Sequence, residues 1–137
     1  MRDGLRPGLR HRRSMTVDSS LAVPQLPAAF GGFAGMPDVF ATAYLVALVE
    51  DTCIEALAPY VEAHERTVGT HVDVSHRAAT PVGMRVTAEV ELTAIEGRRL
   101  RFQVECRDER EVIGAGTHER AVVDATRFLA GALAKRG

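Results

Sequence analysis

A long segment between two prolines constrains the fold more than any other part of this sequence. Residues Asp38–Ala58 follow Pro37 and precede Pro59, and proline is tolerated in the first turn of a helix but breaks its interior. We therefore predict a helix here. Its apolar residues lie on nearly every side of the helical projection: Phe40, Ala43, Tyr44, Leu45, Val46, Ala47, Leu48, Val49, Cys53, Ile54, Ala56 and Leu57. A surface helix would keep a wide polar face, so the rest of the chain, with or without a second subunit, must wrap this one.

The remaining sequence supplies strands for this purpose. Apolar and polar residues alternate along Met84–Ala94 and again along Arg99–Arg107, which is the pattern of strands with one solvated face. Residues Glu96–Arg98 between them predict a tight hairpin. Further strands are predicted on both sides of this hairpin, with a short first strand near the N-terminus: Thr67–Pro81, Glu111–Asp124 and Ser14–Val23. Residues Ala125–Gly137 are predicted as a short helix or a frayed end.

The order of these elements indicates the fold class. A short strand, a buried helix and four long, largely antiparallel strands predict a single α+β domain over residues 1–137. A curved antiparallel sheet wrapped around one central helix is the hot-dog arrangement. An ordinary two-layer α+β sandwich is the alternative, but its helix would usually keep a polar stripe for solvent.

Composition excludes several classes of function. The net charge of -1 provides no field for nucleic acid or for an anionic membrane. No apolar stretch of signal-peptide or membrane-spanning length is present, so we expect a cytoplasmic protein. Two cysteines cannot form a disulfide framework. Zinc-binding, P-loop, dinucleotide and Gly-x-Ser-x-Gly motifs are all missing, and we predict neither a metal nor a cofactor.

Two polar side chains interrupt apolar faces. Glu50 shares a helical stripe with apolar residues, where an unpaired carboxylate would be unfavourable; pairing with an arginine is the common structural explanation. By period two, His76 lies on the strand face of Val68, Thr70, Val72 and Val74, which we predict is directed at the helix. A single inward histidine is often only a core residue, but an inward acid together with an inward imidazole indicates an acid/base pair. The other histidines, including His118, carry less weight.

Thr42 lies near the start of the predicted helix, where its simplest role is a capping or first-turn residue. It precedes Glu50 by eight residues, a rise of about 12 Å in a continuous helix, so the two side chains cannot touch. Either Thr42 precedes the helix and folds back, or substrate and His76 bridge the gap, or a two-fold partner supplies one group. We favour a site at a dimer interface.

Two further features could contribute to a site. Arg120 follows Gly114 and Gly116, glycines that weaken a strand and mark the close approach of a ligand or another backbone; the arginine could bind a phosphate or carboxylate, or form a surface ion pair. The glycine-rich loop that contains Phe33 and Met36 carries large apolar side chains. These either cover something or plug the core.

Several segments together resemble the fluoroacetyl-CoA thioesterase family over nearly the whole chain. They are Pro37–Thr42, Val46–Glu50, Val68–Thr70, Ser75–Pro81, Ile95–Leu100 and Ile113–Arg120. The resemblance implies a hot-dog homodimer that hydrolyses a short-chain acyl-CoA thioester.

The resemblance also implies roles for individual residues. Thr42, Glu50 and His76 would be the catalytic residues, Gly69 would line the acyl site and Arg120 would lie near it. Glu50 would act as a nucleophile or as a general base, and the sequence leaves both open. In the lid, Phe33 matches the family, whereas Met36 stands where a second phenylalanine is expected. Methionine is flexible and fills space of a different shape, which bears on selectivity for fluorine.

Two other functions fit the predicted fold. A non-catalytic acyl-CoA-binding or regulatory hot-dog domain would need the pocket but no acid/base pair. A hot-dog hydratase would need a paired aspartate and histidine on the helix and the segment after it, and Asp38–Ala58 contains no histidine. We therefore predict a thioesterase.

Overall fold

A computed structural model describes all 137 residues. Its helices and strands are β1 (Arg10–Thr16), α1 (Thr42–Leu57), β2 (Glu65–Val74), β3 (Arg85–Glu96), β4 (Arg99–Arg107), β5 (Val112–Asp124) and α2 (Ala125–Leu133). The five strands form one sheet in the order β1-β3-β4-β5-β2, and every neighbouring pair is antiparallel. Helix α1 contacts β1, β2, β3 and β4, so the predicted hot-dog arrangement is confirmed. Neither helix is both long and apolar enough to span a bilayer.

The alternation of β3 and β4 builds the core. On each strand every second side chain is buried against α1, and the intervening ones face solvent. A two-residue turn joins the strands, and its first residue, Gly97, has a φ of 63°, a conformation that glycine adopts without strain. The largest fully buried side chains of the core include Phe40, Leu45, Leu57, Leu92, Leu100 and Phe102.

Within one chain the sheet covers only one side of α1. Leu45, Leu48, Val49 and Cys53 are buried against the strands. The opposite stripe, which includes Ala43, Ala47 and Ile54, remains exposed, and Glu50 lies half-buried within it. A single chain therefore covers one side of the helix and leaves the other side exposed, whereas the sequence predicted a helix wrapped on all sides.

The first strand was predicted too late in the sequence. It spans Arg10–Thr16 instead of Ser14–Val23, because its arginines pair across the outer face of the sheet. Arg10 contacts Glu91 and Arg12 contacts Glu89 on β3, while every second residue of the strand is shielded. The charges of Arg10 and Arg12 thus lie on the outer face of the sheet.

Helix α1 begins at Thr42, four residues later than predicted. The residues before it are extended: Phe40 forms an isolated bridge with Ala22, Val39 forms one with Pro81, and Ala41 is the N-cap with a ψ of 141°. Their backbone groups are used in these bridges, so the helix cannot start at Pro37.

Strand β2 ends at Val74, well before the predicted end at Pro81. Its register with β5 also shifts between Gly69 and His71, which leaves Thr70 as an extra residue in a β-bulge. Directly paired residues in an antiparallel sheet point to the same face. Thr67 and Gly69 therefore face inward before the bulge, and Val72 and Val74 face inward after it. Placing Val68 on the inner face was wrong for this reason.

Candidate active site

Thr42 and His76 form a hydrogen-bonded pair at the start of α1. The Thr42 hydroxyl oxygen lies 2.7 Å from Nδ1 of His76, and the imidazole packs edge-on to Phe40 with ring centroids 6.3 Å apart. Thr42 is the first residue of the helix, but Ala41 is the N-cap and no side chain caps it. The threonine hydroxyl is thus directed at the histidine and not at the helix backbone.

The second nitrogen of His76 is not used by the protein. Nε2 is buried and has no hydrogen-bond partner within the chain, which is uncommon for a buried polar atom and calls for a ligand or functional explanation. Burial also lowers the pKa of His76, so the ring is neutral at pH 7 and able to accept a proton. The chain offers a base with one nitrogen oriented by Thr42 and one free.

Glu50 lies two turns further along α1 and pairs with Arg120 of β5. Its Oε2 accepts a hydrogen bond of 2.7 Å from Nη1 of Arg120. The arginine side chain is 3% exposed and the glutamate side chain 38%. Arg120 is held from the other side by Thr67, whose hydroxyl accepts from Nε at 3.0 Å and whose carbonyl accepts from Nη2 at 2.8 Å. The carboxylate is therefore fixed by a buried guanidinium that Thr67 holds in turn, and the arginine is not in a surface ion pair.

Gly69 makes room for that carboxylate. It pairs directly with Arg120 across β2 and β5, and a Cβ added at Gly69 would overlap Oε2 of Glu50. The bulge at Thr70 is what turns Gly69 inward. A glycine is thus required here by the position of Glu50.

Gly114 and Gly116 have a different explanation. A Cβ at Gly114 would overlap the carbonyl of Ser75, and one at Gly116 would overlap the carbonyl of Asp73. The bare face of β5 is therefore occupied by the chain's own backbone as it leaves β2, and not by a ligand.

The two polar clusters remain separate within one chain. Thr42 and Glu50 belong to the same continuous helix, about 12 Å apart along its axis, so the alternative in which Thr42 folds back is wrong. His76 contacts Thr42 and not Glu50. The predicted meeting of the His76 imidazole with the Glu50 carboxylate is not present in one chain, because His76 lies beyond the end of β2.

The loop with Phe33 and Met36 stands away from the core. Every residue from Pro27 to Asp38 is exposed, and the Phe33 ring forms an edge-to-face pair with Phe30 of the same loop, with centroids 6.4 Å apart. The alternative in which these side chains plug the core is therefore wrong. Large apolar side chains in this position are available to cover a bound molecule or a second subunit.

His118 is the residue that sequence reasoning undervalued. It is fully buried, and its Nε2 lies 3.1 Å from Nη1 of Arg120. Two residues apart on one strand, His118 and Arg120 point to the same face. That phase relationship could have identified the histidine.

Comparison with known proteins adds independent evidence to this geometry. The sequence model of the family described as fluoroacetyl-CoA-specific thioesterase matches residues 24–126. The fluoroacetyl-CoA thioesterase of Streptantibioticus cattleyicolor is 44% identical over 130 residues, which cover 95% of this chain and 94% of that protein. The chain belongs to the fluoroacetyl-CoA-specific thioesterase family.

Solved structures agree with membership of this thioesterase family. A structure of the fluoroacetyl-CoA thioesterase FlK superposes with a TM-score of 0.94 at 43% identity, covering 97% of this chain and 98% of that one. A mutant of the same enzyme in complex with fluoroacetate and CoA gives a TM-score of 0.88 at 43% identity, covering 90% and 99%. A thioesterase superfamily member from Thermus thermophilus, 24% identical with a TM-score of 0.84 and covering 98% and 96%, shares the fold. This family member is therefore a thioester hydrolase with a hot-dog fold.

Proposed function

We propose that the protein hydrolyses a short-chain acyl-CoA thioester, with fluoroacetyl-CoA as the leading candidate, and that Thr42, Glu50 and His76 carry the reaction. The observation that supports this most strongly is the presence of two preorganised polar clusters, one at the start of α1 and one on its uncovered stripe. One cluster is Thr42 with His76 at 2.7 Å, and the other is Glu50 with Arg120 at 2.7 Å. The related thioesterase from S. cattleyicolor supports the choice of substrate.

A cytoplasmic homodimer is part of the proposal. Strand β2 lies at the edge of the sheet, and its inward-facing Val72 is 42% exposed, although edge strands in soluble proteins usually avoid apolar exposure. Two-fold pairing through β2 would cover this edge together with the exposed stripe of α1, and an isologous interface is the commonest arrangement of homodimers. The free, buried Cys53 and Cys106 suit a reducing compartment.

Such a dimer would join the two clusters. The rise of about 12 Å between Thr42 and Glu50 prevents them from acting on one carbonyl from a single helix. An antiparallel neighbour helix would bring Glu50 of the partner subunit beside Thr42 and His76. The free Nε2 of His76 would then face the reaction centre.

The chemistry follows from these groups. The Thr42 hydroxyl and the backbone around Gly69 would stabilise negative charge on the carbonyl oxygen. Glu50 either attacks the carbonyl carbon to form a mixed anhydride, which water then hydrolyses, or takes a proton from a water that attacks directly. In both routes the C–S bond breaks and the CoA thiolate leaves. Neutral His76 can transfer protons, including the α-proton that a neighbouring fluorine acidifies.

Substrate selection would involve the lid and the arginine. Phe33 and Met36 would cover the acyl group and exclude water from the site. Arg120 would lie near the acyl group while its guanidinium holds Glu50. The acyl site would thus combine an apolar cover with a fixed charge pair.

Turnover by Glu50 and His76 variants tests this function. Thiol release from a panel of fluorinated and non-fluorinated short acyl-CoA thioesters should fall about 10²- to 10⁴-fold in Glu50→Gln and in His76→Ala. Glu96→Gln, at the exposed last residue of β3, is the matched control and should retain wild-type rates. Wild-type rates in both site variants would refute the catalytic assignment. Tight binding of acyl-CoA by the wild type without any turnover would favour a binding domain instead.

A further inference from the structure

His118 lies directly behind the Glu50–Arg120 pair. Its side chain is completely buried, and its ring nitrogens have two different neighbours. Nδ1 is 2.7 Å from the carbonyl oxygen of His71, and Nε2 is 3.1 Å from Nη1 of Arg120. Each ring nitrogen therefore has one neighbour, and that neighbour can act only as a hydrogen-bond donor or only as an acceptor.

These two contacts determine the protonation state of the ring. A carbonyl oxygen can only accept, so Nδ1 carries the hydrogen and donates it to His71. A guanidinium can only donate, so Nε2 must present its lone pair to Arg120. The imidazole is therefore the neutral Nδ1–H tautomer. Burial, together with the positive charge of Arg120, lowers the pKa of His118, in agreement with a neutral ring.

The same contacts account for both hydrogens on Nη1 of Arg120. One is donated to Oε2 of Glu50 at 2.7 Å and the other to Nε2 of His118. His118 does not bind Glu50 itself, because its Nε2 and the carboxylate oxygen are 3.9 Å apart and both are acceptors. Any effect of the histidine on the carboxylate must therefore pass through the guanidinium.

We propose that His118 is a positioning residue that locks the guanidinium plane of Arg120 and thereby fixes the Glu50 carboxylate in its reactive orientation. The inference rests on the proposed function of Glu50. Thr67 holds Nε and Nη2 of the guanidinium, and His118 holds the remaining nitrogen. The β-bulge at Thr70 takes part in this arrangement because it directs the His71 carbonyl to the imidazole.

Two substitutions separate the functions of the two ring nitrogens. In His118→Asn the amide nitrogen can replace Nδ1 as donor to His71, but nothing accepts from Arg120. In His118→Gln the longer side chain can place its carbonyl oxygen near the position of Nε2 and restore the acceptor. His64→Asn, at an exposed histidine, is the matched control.

The structural readout is NMR on the full-length protein labelled with ¹⁵N. Long-range proton–nitrogen correlations should identify the Nδ1–H tautomer of His118 in the wild type. Separate Nη signals of Arg120, which report a guanidinium that does not rotate, should merge in His118→Asn and stay separate in His118→Gln and His64→Asn. An Nε2–H tautomer, or unchanged Arg120 signals in His118→Asn, would overturn the inference.

The kinetic readout is the separation of kcat from KM. Loss of a group that orients a reacting residue typically costs about 10- to 100-fold, and this loss should appear in kcat of His118→Asn while KM changes by less than about threefold. His118→Gln should recover most of the rate. Equal losses in both variants, accompanied by a lower Tm, would identify a packing role and overturn the proposal.

The Glu50→Gln variant distinguishes a failure of the proposed role of His118 from a failure of the proposed role of Glu50. If Glu50→Gln is inactive and His118→Asn is fully active with unchanged Arg120 signals, only the role of His118 fails. If Glu50→Gln keeps wild-type turnover, the proposed catalytic role of Glu50 fails, and the NMR signals still report whether His118 holds Arg120.

Discussion

The hydroxyl oxygen of Thr42 and Nδ1 of His76 lie 2.7 Å apart, although 34 residues separate them in the chain. The contact joins the first turn of α1 to the segment that follows β2. Because Thr42 does not cap the helix, its hydroxyl can be removed without exposing unsatisfied helix donors. A change at this position therefore tests chemistry separately from folding.

Thr42→Val should lower kcat/KM about 10²- to 10³-fold, because it removes the only side-chain partner of His76 and the proposed donor to the carbonyl oxygen. Thr42→Ser keeps the hydroxyl and should stay within about tenfold of the wild type. Both variants should unfold at nearly the wild-type urea concentration. Thiol-release kinetics and urea denaturation measure these effects, and an active Thr42→Val enzyme would contradict the role of Thr42.

Sequence patterns predicted correctly those strands that bury one face and expose the other. Strands β3 and β4 each have one face buried against α1, so alternation survives in their sequences. Strand β2 lies at the edge and is largely exposed within one chain, and its bulge reverses the phase at Thr70. Period two therefore failed at the bulge of β2. It also gave no signal for the end of the strand, so His76 was placed on a strand that stops at Val74.

Sequence patterns singled out polar side chains such as Glu50 and His76 but not the pairs that they form. Phase identified Glu50 as a polar group on an apolar stripe, and an arginine was among the expected partners. Choosing Arg120 requires knowing that β5 lies beside β2, which local sequence does not encode. His118 was undervalued because its shared phase with Arg120 becomes informative only once Arg120 is known to face the interior.

Substitution of Gly69 by alanine should reduce activity more than stability. The added Cβ would overlap Oε2 of Glu50, and the flexible end of the glutamate can move away at little cost to the fold. A displacement of about 1 Å in a reacting group can reduce the rate about 100-fold. Gly131→Ala, on α2 with open space around its Cα, is the control and should leave kcat unchanged. Equal activities of the two variants would show that the position of Glu50 is unimportant.

Replacement of Met36 by phenylalanine should raise discrimination between fluoroacetyl-CoA and acetyl-CoA. Met36 is 50% exposed in the lid, and a flexible thioether defines the shape of the acyl site less sharply than a rigid aromatic ring. Changes in such pocket contacts are worth roughly tenfold or more in relative specificity. The measurement is the ratio of kcat/KM for the two thioesters, which cancels differences in active enzyme concentration. An unchanged ratio would remove Met36 from the acyl site.

The pH dependence should report the environment of His76. Burial lowers the pKa of His76 from the ordinary value of 6.5, so the neutral form persists below that pH. If the neutral imidazole is the active form, the acid limb of the kcat/KM profile should have its midpoint below pH 6.5. The measurement is kcat/KM in a series of overlapping buffers. Circular dichroism at each pH should show that the protein stays folded. An acid limb centred above 6.5 would contradict the role of a buried neutral histidine.

Mixed dimers test whether the two clusters of one site come from different subunits. Glu50→Gln and His76→Ala each inactivate one cluster, and the two inactive proteins can be unfolded together and refolded. If each site joins Glu50 of one subunit to His76 of the other, one site of every mixed dimer is intact. Random pairing makes half of the dimers mixed, so about a quarter of wild-type activity should return.

The alternative arrangement gives the opposite result. If Glu50 and His76 of the same chain formed one site, every site in the mixed dimers would carry a defect and no activity would return. Val72→Asp offers an independent measurement, because a carboxylate on the apolar edge of β2 should prevent dimer formation and lower activity together. The molar mass from light scattering should then fall by half. The separation of Thr42 from Glu50 along one continuous helix favours recovery of activity in the mixed dimers, since a single chain leaves the free nitrogen of His76 without a carboxylate to act beside.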